Sequence, residues 1–435
     1  MLYFVQVNTQ KPAMIKKIFI GVNGLGRYGE LLYEGLTEIG FSVDLCDHRP
    51  TRDITYYTPK YSICELRHRF IGAIKHDGNI YYAEKRKDLL DFIGKYDAFF
   101  FYFADTLLPG MLDVPLISLM GKKIVFGSAG DDTMVPYIES LRFEWRGSSY
   151  LQQLLIGMHD EPRNPAELYE KWFGNYNTLS RKLYMIRMIE HYGLLLLFTG
   201  SSGLAKKPFY RGLPICDPRL VSKGRHKLGQ HIRYPVKLSH YSSNSTTKST
   251  THIEKLMLNT KLCRLQNENL LSFNMHEKLP QKVFFDSLLS DDVIIDQLAA
   301  NGSVSRQASS LCTLPITGPN TEAHIPILGT TSIPSVEIFS DSHFIEFLNY
   351  AIRNLDVIQN YRDCAYIAAT QLTPVAQATR LAAILTSLES PNAYNSWGAN
   401  FLDKSLARLR LINPFIESIN DYSLVENVGK MSMNS

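Results

Sequence analysis

Apolar runs alternate along this chain with amphipathic segments, and this alternation predicts an α/β fold. Residues 16–22 read Lys-Lys-Ile-Phe-Ile-Gly-Val, a nearly continuous apolar run of the kind found in central parallel strands. Leucine then recurs at helical spacing over 30–39, Gly40 ends the pattern, and a second apolar run follows over 41–46. These residues predict a strand, a helix and a second strand that ends at Asp47.

The same alternation continues through most of the chain. We predict further strands over 97–103, 122–126, 194–198, 232–236, 293–298 and 314–317. Helices are predicted over 180–192, 251–258, 280–290, 307–311, 342–355 and 360–372. A polar turn is expected over 301–305. Strands that alternate with helices favour parallel sheets with helices packed on both faces.

The length of the chain, 435 residues, exceeds what one hydrophobic core usually supports, so we expect two domains. A stretch rich in Gly, Pro, Ser and Lys over 200–230 has the composition of a linker. The resulting division is an N-terminal extension (1–15), a first domain (16–199), the linker, a second domain (231–390), and a terminal helix with a tail (391–435).

Composition and charge narrow the functional classes. The chain is 45% apolar and 20% charged, as globular proteins are, and 46 basic against 42 acidic residues argue against nucleic-acid binding. The six cysteines stand singly, which gives no zinc or redox motif. No apolar run approaches the roughly 20 residues of a membrane-spanning helix, and the N-terminus lacks a basic leader. We expect a cytoplasmic protein and leave peripheral membrane contact open.

A glycine-rich turn follows the first predicted strand. The sequence Gly-Leu-Gly-Arg-Tyr-Gly over 24–29 matches G-x-G-x-x-G, which brings backbone against phosphate at a helix N-terminus. Gly24, Gly26 and Arg27 are therefore candidate ligand-binding residues. With Asp47 at the end of the second strand, the turn would fit a dinucleotide. It could also serve only as a tight turn, and a family resemblance given below offers a third interpretation.

A second polar stretch, over 240–250, reads His-Tyr-Ser-Ser-Asn-Ser-Thr-Thr-Lys-Ser-Thr and precedes a predicted helix. Such a loop offers backbone N–H groups, hydroxyls and Lys248 to an anionic group at the helix N-terminus. The alternative is an ordinary loop in which Ser and Thr cap the helix.

The spacing of His240, Ser243, Asn244, Lys248 and Thr250 resembles the start of the nucleotide-sugar-binding domain of GT-B glycosyltransferases of group 1 type. Weaker similarity follows over 292–298 and 314–317. The resemblance implies an α/β fold of two Rossmann-like domains facing across a cleft. It also implies a UDP- or GDP-linked sugar as substrate, with no tightly bound cofactor and no metal. Lys248 matches the lysine that contacts the donor diphosphate in that family.

The resemblance supplies further candidates. GT-B enzymes also carry a glycine-rich turn after their first strand, where it faces the cleft near the donor phosphates and the acceptor, so the resemblance implies the same place for Gly24, Gly26 and Arg27. Asp131 and Asp132 lie in a loop similar to the cleft-facing loop of GT-B acceptor domains, which makes them candidate catalytic residues; solvent-facing turn residues are the alternative. On the donor side the remaining candidates are Ser303, Ser305 and Glu322.

The chain departs from the family where donor-binding acids are expected. A glutamate that holds the donor ribose would fall at Ala308, or at Ser309 in the neighbouring register, and its partner acid near Ala300. Losing such a charge-assisted contact costs about 1.5–3 kcal/mol.

Three functions remain open. The first is a glycosyltransferase, catalytically impaired or not, that acts on a glycan or lipid-linked acceptor. The second is a non-catalytic GT-B-like binding or scaffold protein in glycan assembly. The third is an NAD(P)-dependent oxidoreductase that uses the glycine-rich turn, with His240 as a catalytic candidate.

Overall fold

A computed structural model of the protein describes residues 15–21, 27–47, 60–76, 79–84, 86–102, 106–108, 111–128, 179–197, 210–211, 214–242, 250–296, 298, 303–318, 335–338 and 340–387. Its strands are β1 (Lys17–Gly21), β2 (Ser42–Asp47), β3 (Tyr61–Ser62), β4 (Ile71–His76), β5 (Asn79–Glu84), β6 (Ala98–Tyr102), β7 (Lys123–Ser128), β8 (Leu194–Leu197), β9 (Tyr210–Arg211), β10 (Val236–Ser242), β11 (Leu271–Glu277), β12 (Val293–Ile295), β13 (Leu314–Thr317) and β14 (Val336–Glu337).

Helices connect these strands. They are α1 (Tyr28–Glu38), α2 (Ile63–Phe70), α3 (Arg86–Ile93), α4 (Val114–Leu119), α5 (Leu179–Tyr192), α6 (Pro218–Gly224), α7 (Thr250–Met257), α8 (Thr260–Asn267), α9 (Gln281–Ser290), α10 (Ser303–Ser310), α11 (Asp341–Arg353), α12 (Leu355–Gln371) and α13 (Pro374–Ser387). A short 3₁₀ turn, Arg225–Lys227, follows α6.

The first domain is built on a seven-stranded parallel sheet in the order β3-β2-β1-β6-β7-β8-β9. Its central strands are apolar on both faces because helices cover both faces. Phe19, Phe99 and Phe101 pack on one face against α2, α3, α4 and α5. The alternate positions, including Ile20 and Phe100, pack on the other face against α1 and α13. Strands β4 and β5 form a separate antiparallel pair.

The second domain repeats the design with a five-stranded parallel sheet in the order β11-β10-β12-β13-β14. Apolar side chains of β10, β12 and β13 on one face pack against α7, α8, α11 and α12. On the opposite face, Tyr241 and Ile294 pack against α6, α9 and α10. The predicted fold class, α/β with two Rossmann-like domains, is confirmed.

Two neighbouring segments join the domains. At one crossing Cys216 donates its backbone N–H to the carbonyl of Leu372 at the other, over 2.8 Å. After the second crossing α13 returns to the first domain and packs against α1. At the contact Gly35 faces the carbonyl oxygen of Pro374, where an added Cβ would lie only 2.2 Å from that oxygen.

The crossing at Cys216 lies within the stretch predicted as a linker, and that stretch also contains two regular elements. Within residues 200–230, β9 extends the first sheet and α6 packs on the second domain, where Tyr366 donates its hydroxyl to the carbonyl of Val221 over 2.8 Å. The helix observed to return to the first domain is α13. The helix predicted within 391–435 and the extension over 1–14 lie outside the described residues, and the domain boundaries stay predictions.

Two predicted element boundaries were wrong for identifiable reasons. The strand expected over 232–236 is β10, which begins at Val236 and includes His240 and Tyr241, because their polar atoms find partners inside the domain. The turn expected over 301–305 ends earlier, since α10 already begins at Ser303. Asp296 accepts the backbone N–H of Ser305 and thereby satisfies an amide of the first helical turn.

Candidate functional site

Each sheet has one point where the order of its strands reverses. In the first sheet this point lies between β1 and β6, and in the second between β10 and β12. Ligands of open α/β sheets bind outside the carboxyl ends of the strands at such a point. We call the carboxyl ends of β1 and β6 the first switch point, and those of β10 and β12 the second.

At the first switch point, α1 is the next described element after β1 in the chain. Arg27 adopts a left-handed backbone conformation, with φ 65°, immediately before Tyr28 begins the helix. The ring of Tyr28 lies edge-on to that of Tyr102 at the end of β6, with 4.8 Å between centroids. Arg27 and the start of α1 therefore lie beside the carboxyl ends of β1 and β6. Gly24 and Gly26 lie outside the described residues, and their role stays a prediction.

The Arg27 guanidinium contacts carboxylates of the protein. It pairs with Glu30, over 3.2 Å, and with Asp217 in the first crossing segment. The side chains of Arg27 and Asp217 are 10% and 6% exposed, so this ion pair is largely removed from water. Burial raises the pKa of Glu30, and the Arg27 guanidinium opposes that shift. The arginine predicted as a ligand-binding residue therefore connects α1 to the crossing segment.

Asp217 also orders the start of α6. Its carboxylate accepts the backbone N–H of Arg219 over 3.0 Å and the Arg219 side chain over 2.9 Å. Arg219 in turn reaches Glu34 of α1 over 3.1 Å. One carboxylate thus serves two arginines, and the network holds the first turn of α6 against α1.

At the second switch point, His240 ties two elements together. Its Nδ1 lies 2.8 Å from the carbonyl oxygen of Ile295, and its Nε2 lies 3.1 Å from the hydroxyl of Thr250. Because a carbonyl only accepts, Nδ1 carries the proton in this arrangement. His240 is fully buried, so it positions the end of β10 against β12 and the start of α7. This placement does not expose the ring as an oxidoreductase would require.

Some of the predicted donor-side residues belong to the described part of the chain and others do not. Ser243, Asn244, Lys248 and Glu322 lie outside it, as do Asp131 and Asp132. Of the remainder, Thr250 begins α7 and Ser303 begins α10.

Ser305 is held inside the protein. Its hydroxyl and its backbone N–H both contact the buried carboxylate of Asp296, each over 2.9 Å. The structure therefore brings Thr250 and Ser305 to the same sheet edge, where both hydroxyls already have partners in the protein.

The buried face of α10 excludes the expected ribose-binding acid. Ala308 is fully buried in the cluster that contains Leu220, Leu288 and Leu311, and Ser309 donates its hydroxyl to the carbonyl of Ser305 over 2.9 Å. A side chain at position 308 points into the packed interior and could not bring a carboxylate to a ligand. The missing acid is therefore a matter of packing as well as of residue identity. Ala300 lies outside the described residues.

Arg306, which the sequence analysis did not single out, is the charged residue of α10. Its side chain is partly buried in the first turns of the helix. Its charge acts on Tyr28 at the first switch point and on the thiol of Cys216 at the crossing. Arg306 therefore lies within electrostatic range of Tyr28 at the start of α1 and of Cys216 at the crossing. The signal in the sequence was a single cation among the serines of 303–310.

Metal chemistry and membrane spanning find no support in the described part of the chain. No group of three or more His, Cys, Asp or Glu side chains there has the arrangement of a metal site. No helix of the described residues has the length and apolarity to cross a bilayer.

No family model and no curated protein matches the sequence. Similar solved structures include a sucrose-phosphate synthase from Thermosynechococcus elongatus, at 11% identity and a TM-score of 0.47, covering 86% of this chain and 99% of that one. Anabaena HepE in complex with UDP is similar at 13% identity and a TM-score of 0.41, covering 86% and 100%.

An α-glucosyltransferase bound to UDP-glucose and abasic DNA is similar at 8% identity and a TM-score of 0.46, covering 85% and 98% of the two chains. With every one of these TM-scores below 0.5, the fold class rests on the two parallel sheets themselves.

Proposed function

We propose that this protein is a glycosyltransferase that moves a sugar from a UDP- or GDP-linked donor to a glycan or lipid-linked acceptor. The observation that carries the proposal is that α1, which starts at the first switch point, and α10, which starts at the second, lie within electrostatic range of each other through Tyr28 and Arg306. A donor bound at one sheet edge and an acceptor at the other would have their reacting groups between the domains. The resemblance of 240–250 to a donor-binding loop supports the assignment of the second domain to the nucleotide-sugar.

On the donor side we assign the diphosphate to the loop before α7. Lys248 would contact it as a point charge, and Ser243 and Asn244 would add hydrogen bonds. The positive end of the α7 dipole lies in the same place, because α7 begins at Thr250. Both features favour the negative charge that develops on the leaving nucleotide when its bond to the sugar breaks.

On the acceptor side we assign the turn at Gly24 and Gly26 and the loop of Asp131 and Asp132. Glycines allow a ligand to approach the backbone closely. A carboxylate beside the acceptor hydroxyl would accept its proton during transfer. Glu322 and Ser303 stay candidates for contacts to the donor.

Lys248 provides the test. Purified wild type, Lys248→Ala and Lys248→Arg are titrated with UDP, GDP, ADP and NAD while thermal unfolding is followed, since ligand binding raises Tm. Lys248→Ala should weaken binding of the preferred diphosphate nucleotide by about 1–3 kcal/mol. Lys248→Arg should restore only part of the affinity. It keeps the positive charge, but the planar guanidinium presents its hydrogen-bond donors in a different geometry.

Lys237→Ala serves as the matched control. Lys237 is exposed near the amino end of β10, opposite the switch point, so its loss should leave nucleotide binding unchanged. A wild-type shift with NAD and none with UDP or GDP would contradict the proposal and favour the oxidoreductase.

A non-catalytic binding protein is the second candidate, and it rests on the sequence, which has Ala308 where the resemblance leads one to expect a donor-binding acid. The two candidates differ in chemistry rather than in binding. Incubation with UDP-glucose or GDP-mannose should release UDP or GDP if the protein is an active transferase, through transfer or slow hydrolysis. Nucleotide binding without any release would identify the binding protein.

A further inference from the structure

Arg306 has no anionic partner among the described residues. No ion pair and no side-chain hydrogen bond joins its guanidinium to any of them, although the side chain is partly buried. Two other arginines at the junction of the domains are paired: Arg27 with Glu30 and Asp217, and Arg219 with Asp217 and Glu34. Arg306 thus stands apart from the other arginines at the junction of the domains.

The two groups on which the charge of Arg306 acts, the Tyr28 phenol and the Cys216 thiol, are neutral. Burial raises the pKa of the Tyr28 phenol above its ordinary value, and the charge of Arg306 only partly opposes that rise. Burial also raises the pKa of the Cys216 thiol. Both groups therefore stay protonated at neutral pH and leave the guanidinium charge uncompensated.

The carboxylates in the neighbourhood already have other partners. Asp217 is bound by Arg27 and Arg219, and Asp296 by Ser305. Each of these contacts fixes a helix start or a crossing segment, so moving the carboxylate to Arg306 would leave buried groups without partners.

The position of Arg306 is unfavourable in the absence of a ligand. It is the fourth residue of α10, and the N-terminal turn of a helix favours anions and disfavours cations. Partial burial adds a desolvation penalty to an unpaired charge. A second polar group at the same sheet edge is also unsatisfied. Ser242 is the last residue of β10, and its buried hydroxyl has no hydrogen-bond partner among the described residues.

We propose that Arg306 binds a phosphate group of the ligand that enters between the two switch points. The inference deepens the proposed function and rests on it for the identity of that ligand, a nucleoside diphosphate. The family resemblance leads one to expect a carboxylate on α10. Arg306 would instead supply a positive charge from the same helix. A guanidinium suits the role, since its fork donates two parallel hydrogen bonds to phosphate oxygens.

The experiment compares wild type, Arg306→Met, Arg306→Lys and the control Arg264→Met. Arg264 lies on the surface of the same domain, paired with Glu268, so its replacement removes one charge far from the switch points. Kd values for UDP, uridine and inorganic pyrophosphate are measured by calorimetry on the full chain, together with Tm without ligand. Methionine retains the apolar stem and the helix propensity of arginine.

Arg306→Met should raise the Kd for UDP and pyrophosphate by about ten- to a hundredfold and leave weak uridine binding unchanged. Arg306→Lys should fall between, and Arg264→Met should match wild type. Without ligand, Tm of Arg306→Met should exceed that of wild type, because an uncompensated charge has been removed. A structural role for the arginine would instead lower Tm.

The outcomes separate this inference from the proposed function. UDP binding that Arg306→Met leaves unchanged would overturn the inference and retain the function. Pyrophosphate binding that depends on Arg306, without any UDP binding, would support the phosphate site and reject the nucleotide-sugar. Failure of wild type to bind either ligand would overturn both.

Discussion

At the scale of single residues, Lys227 and Arg306 are two cations removed wholly or partly from water at opposite ends of the second sheet, and they have different roles. Lys227 lies at the amino end, where its ammonium donates to the carbonyl of Asp291 over 2.5 Å and to the hydroxyl of Thr313 over 3.0 Å. Both acceptors precede strands, so Lys227 ties the segment after α6 to the base of the sheet. Arg306, at the carboxyl end, has no such partners in the part of the chain that the structure describes. We infer that the first cation stabilises the domain and the second serves a ligand.

Lys227 should make stability depend on pH in the alkaline range. Burial lowers its pKa from 10.5 to about 8 in the folded protein. Between these values the unfolded chain binds more protons than the folded one, so stability increases as pH rises and is lost as pH falls. From pH 7.5 to 10 this single group should add about 2–3 kcal/mol to the free energy of unfolding.

Urea unfolding of wild type and Lys227→Met at both pH values measures this contribution, since all other titrating groups are common to the two proteins. As pH rises, the free energy of unfolding of wild type should increase more, or decrease less, than that of the variant. Parallel pH dependences would show that Lys227 is not desolvated in the folded state.

At the scale of elements, the contact between α1 and α13 joins the end of the second domain to the first. Leu32 and Leu36 of α1 and Ala378 and Leu381 of α13 are buried in one cluster. The helices approach closely because Gly35 has no side chain at the point where α13 begins. Packing of this kind makes the position of one domain depend on the other.

Gly35→Ala should therefore destabilise the protein even though alanine is the better helix former. The added Cβ would overlap the Pro374 carbonyl oxygen, and the backbone shift that relieves such an overlap costs about 1–3 kcal/mol. Thr37→Ala, at an exposed position of the same helix, is the control and should change stability by less than about 0.5 kcal/mol. Urea midpoints measure both. A more stable Gly35→Ala would mean that α13 does not pack here.

Much of the element order follows from the sequence. The apolar runs at 97–103, 122–126 and 314–317 became β6, β7 and β13, because a strand covered on both faces needs few polar positions. The limits of β10 and α10 did not follow. Polar residues such as His240 and Ser305 signal a loop in a single sequence, while their partners, Ile295 and Asp296, come from elsewhere in the fold.

The candidate site was predictable only in part. The glycine-rich turn and the segment before α7 were identified because their chemistry is local in sequence. Arg306 could not be predicted from the sequence, because its role depends on Tyr28 and Cys216, which are distant from it along the chain. The burial of Ala308 likewise depends on which face of α10 packs inward, and this cannot be read from eight residues.

At the scale of the whole molecule, two sheets of different strand order are joined at two adjacent crossings, and after the second crossing α13 packs with α1 on the first sheet. The buried ion pair of Arg27 and Asp217 lies beside the crossing and near the start of α1. A ligand between the switch points would therefore contact both domains at their connection. We expect binding to order α1, α7 and α10 together.

Hydrogen–deuterium exchange of the full chain with and without UDP tests this central claim most directly, because it locates binding without any substitution. The account predicts slower exchange in peptides from the ends of β1 and β10 and from the first turns of α1, α7 and α10. Peptides from α8 and α11, on the outer face of the second domain, should be unaffected. Slower exchange confined to α8 and α11 or the amino ends of the strands, or no change at saturating UDP, would contradict the account.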